Sequence, residues 1–337
     1  MLSFYPSFVK SLCNFGSNAF LIPTFLTTYF YMRNSLLFYL TLLAALALVA
    51  CSGDDNEDPV IPTQTNSNRN RTDEYAEAGR LEFPKLKNGT NIVLVHKTDD
   101  RNDPDGVNYA VEWDYEKKSA RWTCYQLTKR TAEQRTSRYY GDPQYPLDPD
   151  LPTAYYWDAD YFYGSGFDHG HICPSADRLY SAEANYQTFF LTNMQPQYKN
   201  FNGSGNSGGI WLSMENQVRR WAPKNTSDTL YIVKGGTIDR VFLETGADDG
   251  VLMRIKDKLI VPKYFFVALL YRNSQGYRSL GFWFPHNNEI HGYDDLADYT
   301  LSIDELEART GIDFFCNLPD DVEAQVERTL PLNSWGL

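Results

Sequence analysis

Cysteine is scarce in this chain, and what there is cannot staple a fold. Of the five cysteines in 337 residues, only Cys124, Cys173 and Cys316 lie beyond Cys13 and Cys51. That odd number allows at most one disulfide and excludes a disulfide-built scaffold. Basic charge is also short: 31 Lys and Arg stand against 43 Asp and Glu, a net charge of -12, unlike the basic domains that coat polyanions. Ser35 to Ala50 is uncharged and apolar but stops at 16 residues, below the roughly 20 that a bilayer core requires. No internal repeat is visible, which excludes a solenoid. What is abundant is aromatic: 15% of the chain, with 24 Tyr, enough for a packed mixed sheet with polar surfaces.

The apolar run follows Met32 and Arg33 and ends in Leu48-Val49-Ala50-Cys51. This is a signal-peptide pattern closed by what resembles a bacterial lipobox, with Cys51 as the lipidated residue. Residues 1–51 are therefore expected to be a targeting segment whose start is Met32, and the protein to be exported as an outer-membrane lipoprotein exposed at the cell surface. Residues 52–80 are acidic and then rich in Pro, Thr, Asn and Ser, too apolar-poor to offset ordering entropy, and are expected to be a flexible tether. Residues 81–337 are expected to form one domain.

Within that domain, Asn91–His96, Asn108–Asp114 and Ala120–Leu127 read as antiparallel strands. A Tyr-, Pro- and Asp-rich loop from Tyr139 to Tyr163 is suited to walling a cleft. Gln187–Asn193 reads as a further strand. In Ile210–Trp221, Trp211, Met214, Val218 and Trp221 form one stripe at helical spacing, stopped by Pro223. Thr229–Val233, Lys263–Tyr271 and Tyr277–Phe284 continue the sheet, and Ser302 with Glu305 makes a capping box for a helix to Arg309. Lys117, Lys118, Arg121, Lys129, Arg130, Arg135 and Arg138, against Glu133 alone, form a candidate footprint for phosphates, with a solvated basic face as the bland alternative.

The densest polar cluster runs from Asp168 to Arg178: Asp-His-Gly-His-Ile-Cys-Pro-Ser-Ala-Asp-Arg. A neutral His can take a proton from water near pH 7, a Mg²⁺ that keeps most of its waters can be held by one Asn or carboxylate, and Arg matches phosphate oxygens. The segments Asp168-His169-Gly170-His171, Asn193-Met194-Gln195-Pro196-Gln197, Phe201-Asn202, and Trp211 with Glu215 and Arg219 resemble the signature of the DNA/RNA non-specific endonucleases of the ββα-metal (His-Me finger) class. Asn202 lies nine residues after Asn193, and Glu215 and Arg219 four and eight after Trp211. The resemblance spans about Asn91 to Leu318, including Tyr231–Gly236 and Thr310–Phe315.

The resemblance implies an α+β fold: a mixed, mostly antiparallel sheet core carrying the ββα-metal motif. It implies a metal-dependent, sequence-non-specific endonuclease that contacts DNA and RNA through phosphates, with Mg²⁺ as cofactor and Mn²⁺ as a substitute. By position, His171 is the general base, Asn202 the metal ligand, Glu215 the holder of a metal-bound water, Arg219 the contact to the scissile phosphate and Arg138 a further cation. Asn193 orients His171 or binds the phosphate region. Two positions depart from the pattern. His169 replaces an Arg, which lowers phosphate attraction unless the ring is charged. Residues Gly203–Gly209 lengthen the gap to the helix, which makes Asn206 a rival metal ligand. Other readings of the residues stay open. His169, His171 and Cys173 alternate as a zinc site does but lack a fourth ligand. His96, His286 and His291 read as satisfied structural histidines, and Asp168 as support for a tight turn at Gly170. The competing function class is a non-catalytic surface-binding lipoprotein on a degenerate nuclease scaffold.

Overall fold

The computed structural model describes residues 65–99, 106–205 and 208–337. The targeting segment, Cys51 and the rival ligand Asn206 lie outside these. In chain order the strands are β1 Asn91–Lys97, β2 Val107–Asp114, β3 Ser119–Leu127, β4 Asp168–His171, β5 Met194–Gln197, β6 Thr229–Gly236, β7 Val241–Leu243, β8 Gly246–Asp248, β9 Val251–Ile255, β10 Leu259–Pro262, β11 Tyr264–Asn273, β12 Gly276–Pro285 and β13 Thr300–Leu301. The α-helices are α1 Ala182–Gln187, α2 Lys199–Asn202, α3 Ile210–Arg220, α4 Ile303–Thr310, α5 Asp320–Glu327 and α6 Leu332–Trp335. Among the described residues no helix is long and apolar enough to cross a membrane.

Seven strands form one sheet in the order β1-β2-β3-β6-β11-β12-β13, antiparallel at every pairing. The fold is thus α+β with a large antiparallel sheet, as expected. Strand alternation divides the apolar residues between two cores. On β11, Phe265, Val267 and Leu269 face one core, and Phe266, Ala268 and Leu270 the other. Ile172, Phe201, Trp211, Met214 and Val218 close the first core, which places the β4–β5 hairpin and α3 on that face. Ile303, Leu306, Phe314 and Val326 close the second, which places α4 and α5 on the opposite face.

The structure alters three of the expectations. Gln187–Asn193 is not a strand: Ser181 caps α1 through Ala184, and a 3-10 turn at Leu191–Asn193 follows. Neighbours Phe189 and Phe190 are both buried, which a turn allows and a one-sided strand does not; pairing resumes only at β5. The tether does not reach residue 80. From residue 65 the chain is held by amide bonds to backbone, with Asn70 donating to the Ala78 and Pro84 carbonyls and Asn317 to those of Ala78 and Arg80. Those bonds replace the apolar burial its composition lacks. The basic run is not a shared footprint either. Arg121 is buried against Asp114 at 3.1 Å and Glu112 at 3.4 Å, Lys117 pairs with Asp239, and Arg135 with Glu133 at 2.6 Å.

Candidate active site

β4 and β5 pair antiparallel, with Asp168 opposite Gln197 and His171 opposite Met194. Gly170 is inside this ladder rather than in a turn. A Cβ there would lie 2.3 Å from the Gln197 side chain, so only glycine lets the two strands close. Asp168 does not support a turn; its carboxylate accepts from Asn202 Nδ2 at 3.0 Å and from the Ser204 hydroxyl. It therefore holds the Asn202 amide by its donor end. Gly203, at φ +94°, ends α2 immediately after Asn202 in a conformation other residues rarely adopt.

Asn193 acts on the backbone beside His171. It is fully buried and grips Cys173 twice: its Oδ1 accepts from Cys173 N–H at 2.9 Å and its Nδ2 donates to Cys173 C=O at 2.9 Å. A third bond runs from Nδ2 to Thr188 C=O at 2.8 Å. Asn193 thus positions the segment after His171. Asn193→Ala strands those backbone groups in the interior and is expected to lower unfolding stability by about 3 kcal/mol, measured by urea denaturation. Trp211 Nε1 donates to the His171 carbonyl at 3.3 Å, tying α3 to β4, the strand that carries His171.

A cleft of about 250 Å³ brings together Arg138, His171, Asn202, Glu215 and Arg219, five residues drawn from a loop, a strand and two helices. His171 Nε2 is buried without a hydrogen-bond partner. Burial and the Arg138 charge push the ring's pKa down to about 3, so it stays neutral at physiological pH. The exposed Arg138 places its guanidinium 4.7 Å over the Phe189 ring, and Phe189 meets His171 edge-on at 4.8 Å. Glu215 is 9% exposed, and burial raises its carboxyl to about 7 against the opposing charges of Lys234 and Arg219. Arg219 donates to Asp177 Oδ1 at 2.8 Å and to Asn216 Oδ1 at 2.8 Å and stands 3.8 Å from Glu215, so its fork is preset.

His169 does not reach the cleft. Its ring is sandwiched between Tyr145 at 3.7 Å and Phe162 at 4.3 Å, and its Nε2 lies 2.9 Å from Asp160 Oδ2. The aromatic walls and Asp160 occupy the ring away from the residues that line the cleft. The zinc pattern fails as well, because Cys173 is buried among core residues. His286 is satisfied by Pro262 C=O and Tyr198 N–H. His96 is not, since its Nε2 lies 3.1 Å from Asp148 Oδ2 without a hydrogen bond; with Asp150 these form a group able to hold a cation.

Sequence reasoning missed Lys234 and the role of Asp177. Lys234 is a fully buried lysine on β6, 5.5 Å from the Trp211 ring and without a hydrogen-bond partner. Its signal was a lone charge inside a strand otherwise buried throughout. Asp177 was visible in the polar cluster, but only the fold turns it toward Arg219 and Tyr125.

A neutral base, an anchored amide, a buried carboxylate and preset arginines in one cleft, on a hairpin followed by a helix, define a hydrolase of the nuclease class. Residues 89–321 match the family described as DNA/RNA non-specific endonuclease, and the chain belongs to that family. It is 29% identical over 65% of its length to a nuclease of Nostoc sp., covering 75% of that protein. It is 26% identical over 62% of its length to a nuclease of Serratia marcescens, covering 73% of it. It is 27% identical over 64% of its length to the mitochondrial nuclease EXOG of Xenopus laevis, spanning 58% of that longer protein. The fold is similar to that in a crystal structure of an EndoG/EndoGI complex, with TM-score 0.52 and 17% identity over 67% of this chain and 87% of that one.

Proposed function

We propose that this protein is a metal-dependent, sequence-non-specific endonuclease that hydrolyses phosphodiester bonds of DNA and RNA, with His171 as the general base. The observation that supports it most is the neutral, unpartnered His171 Nε2 in the same cleft as Asn202, Glu215 and Arg219. Asn202 uses its amide nitrogen on Asp168, which leaves the amide oxygen for a hard cation. Glu215 adds a buried carboxylate, and such an oxygen donor set suits a largely hydrated Mg²⁺, or Mn²⁺ in its place. When bound, the cation would polarise the phosphate oxygens and offset charge on the leaving oxygen. His171 takes the proton of the attacking water, Arg219 and Arg138 hold the phosphate, and Asn193 and Trp211 keep the base-bearing strand in place. The proposal assigns selection to phosphate geometry rather than to base edges. Incubation of plasmid DNA and of RNA with the protein should show cutting that requires Mg²⁺ and stops with EDTA; cutting that survives EDTA would sink the reading.

The pH profile follows from the two shifted groups. A base works above its pKa, so His171, at about 3, imposes no limit near neutrality. Glu215, raised to about 7, must lose a proton to hold a hydrated cation. At subsaturating Mg²⁺, kcat/KM is therefore expected to rise with pH through about 7, and Glu215→Gln should give a lower, flat profile. An unchanged slope in that variant would assign the limb elsewhere. We further propose export as an outer-membrane lipoprotein anchored at Cys51. Cys51→Ala should release the protein from the membrane fraction.

A further inference from the structure

On the sheet face opposite the nuclease cleft, α4 and α5 bring carboxylates together with no base among them. Asp304 and Glu307, three apart on α4, share one helix face, and Glu327 ends α5 beside them. One carboxylate oxygen from each lies within 4.8 Å of the others. Glu307 Oε1 accepts from Phe314 N–H at 2.6 Å, which fixes that carboxylate. Glu327 is 6% exposed, and its buried Oε1 has no hydrogen-bond partner. The charges acting most strongly on Glu327 are Glu307, Glu323, Asp313 and Asp304, all acidic. Lys85 acts on Asp313 and Glu323 and so serves the rim of the cluster.

A buried carboxylate without a partner costs several kcal/mol, and like charges beside it raise that cost. Two things can relieve it, a proton or a cation. The donors are all oxygen, which disfavours zinc and softer metals. Calcium takes oxygens at about 2.3–2.6 Å, so ligands across the ion lie up to roughly 5 Å apart, a span that accommodates the separation seen here. Magnesium demands about 2.0–2.1 Å and a near-ideal octahedron that it prefers to fill with water.

We propose that Asp304, Glu307 and Glu327 form a Ca²⁺ site that locks α5 onto α4. Its work is structural: it fastens the C-terminal helices over the second core, away from the residues of the cleft, and it requires nothing of the nuclease reaction.

The test is thermal unfolding of the full chain after chelation, with Ca²⁺ or Mg²⁺ added back at millimolar concentration. Ca²⁺ is expected to raise Tm saturably, by about 5 °C at a large excess over Kd, with Mg²⁺ giving much less. Glu327→Gln and Asp304→Asn should each abolish the rise while plasmid cutting is retained. Asn202→Ala should keep the full Ca²⁺ response, which separates this site from the nuclease cleft. No shift with Ca²⁺, an equal shift in Glu327→Gln, or a shift lost in Asn202→Ala would each overturn the proposal. So would a stabilisation reproduced by lowering the pH alone and indifferent to Ca²⁺, because the proton would then be the partner.

Discussion

His171→Ala should lower kcat for plasmid cutting by about 10²- to 10⁴-fold while leaving the folded state intact. The loss belongs to kcat because the proposed role of the imidazole is to act on a proton in transit through Nε2, which has no partner in the protein. The proposal assigns phosphate binding instead to Arg219, oriented by Asp177 at 2.8 Å, and to Arg138 over Phe189, so KM should move by no more than a few-fold. Stability should hold or rise slightly at acid pH. A group whose folded pKa is pushed down to about 3 is a proton sink in the unfolded chain, and it costs stability as pH falls below the unfolded value near 6.5. Removing it removes that cost. Single-turnover rates at saturating substrate, with urea midpoints at pH 5 and pH 7.5, check all three statements. A rate within ten-fold of wild type would remove His171 from the base role.

Trp211→Ala should destabilise the domain by about 3–5 kcal/mol and reduce activity as well. The indole is 1% exposed, meets Phe201 at 5.9 Å and Phe265 at 5.3 Å, and donates to the His171 carbonyl at 3.3 Å. Truncation leaves a cavity between α3 and the sheet and frees the strand carrying the base. It also removes one of the two rings beside the buried Lys234 ammonium. Trp211→Phe fills most of the volume but not the hydrogen bond, so it should recover most of the stability and less of the activity. Equal recovery of both would show that the bond to the His171 carbonyl carries no positional value.

Much of this arrangement is legible in the sequence where local pattern and tertiary role agree. The strands of the sheet carry β-branched and aromatic runs, α3 keeps its apolar stripe from Trp211 to Val218, and the Ser302–Glu305 capping box forms as spaced. His171, Asn202, Glu215 and Arg219 are assigned through the family resemblance, and the fold brings them together with Arg138. What was misjudged or left open turns on contacts between distant residues. Asn193 has two alternatives by resemblance, orienting His171 or binding the phosphate region, and its three bonds to Cys173 and Thr188 are contacts the sequence does not reveal. His169 alternates with His171 along β4, yet Tyr145, Phe162 and Asp160, brought in by the long loop, occupy it. Asp168 seemed to serve a turn, and its partners Asn202 and Ser204 lie more than thirty residues away. Residues 65–80 carry too few apolar groups to announce a folded segment, and their order comes from amides such as Asn70 and Asn317, whose targets composition does not reveal.

The central claim is that one cleft holds the base and the cation together. The measurement that tests it most directly is an anomalous difference map from a crystal soaked in Mn²⁺. The account predicts a peak within coordination distance, about 2.2 Å, of Asn202 Oδ1, with Glu215 reached through a bound water and the His171 imidazole facing the ion across the space a phosphate would fill. A peak at His96, Asp148 and Asp150 with none beside Asn202 would contradict it.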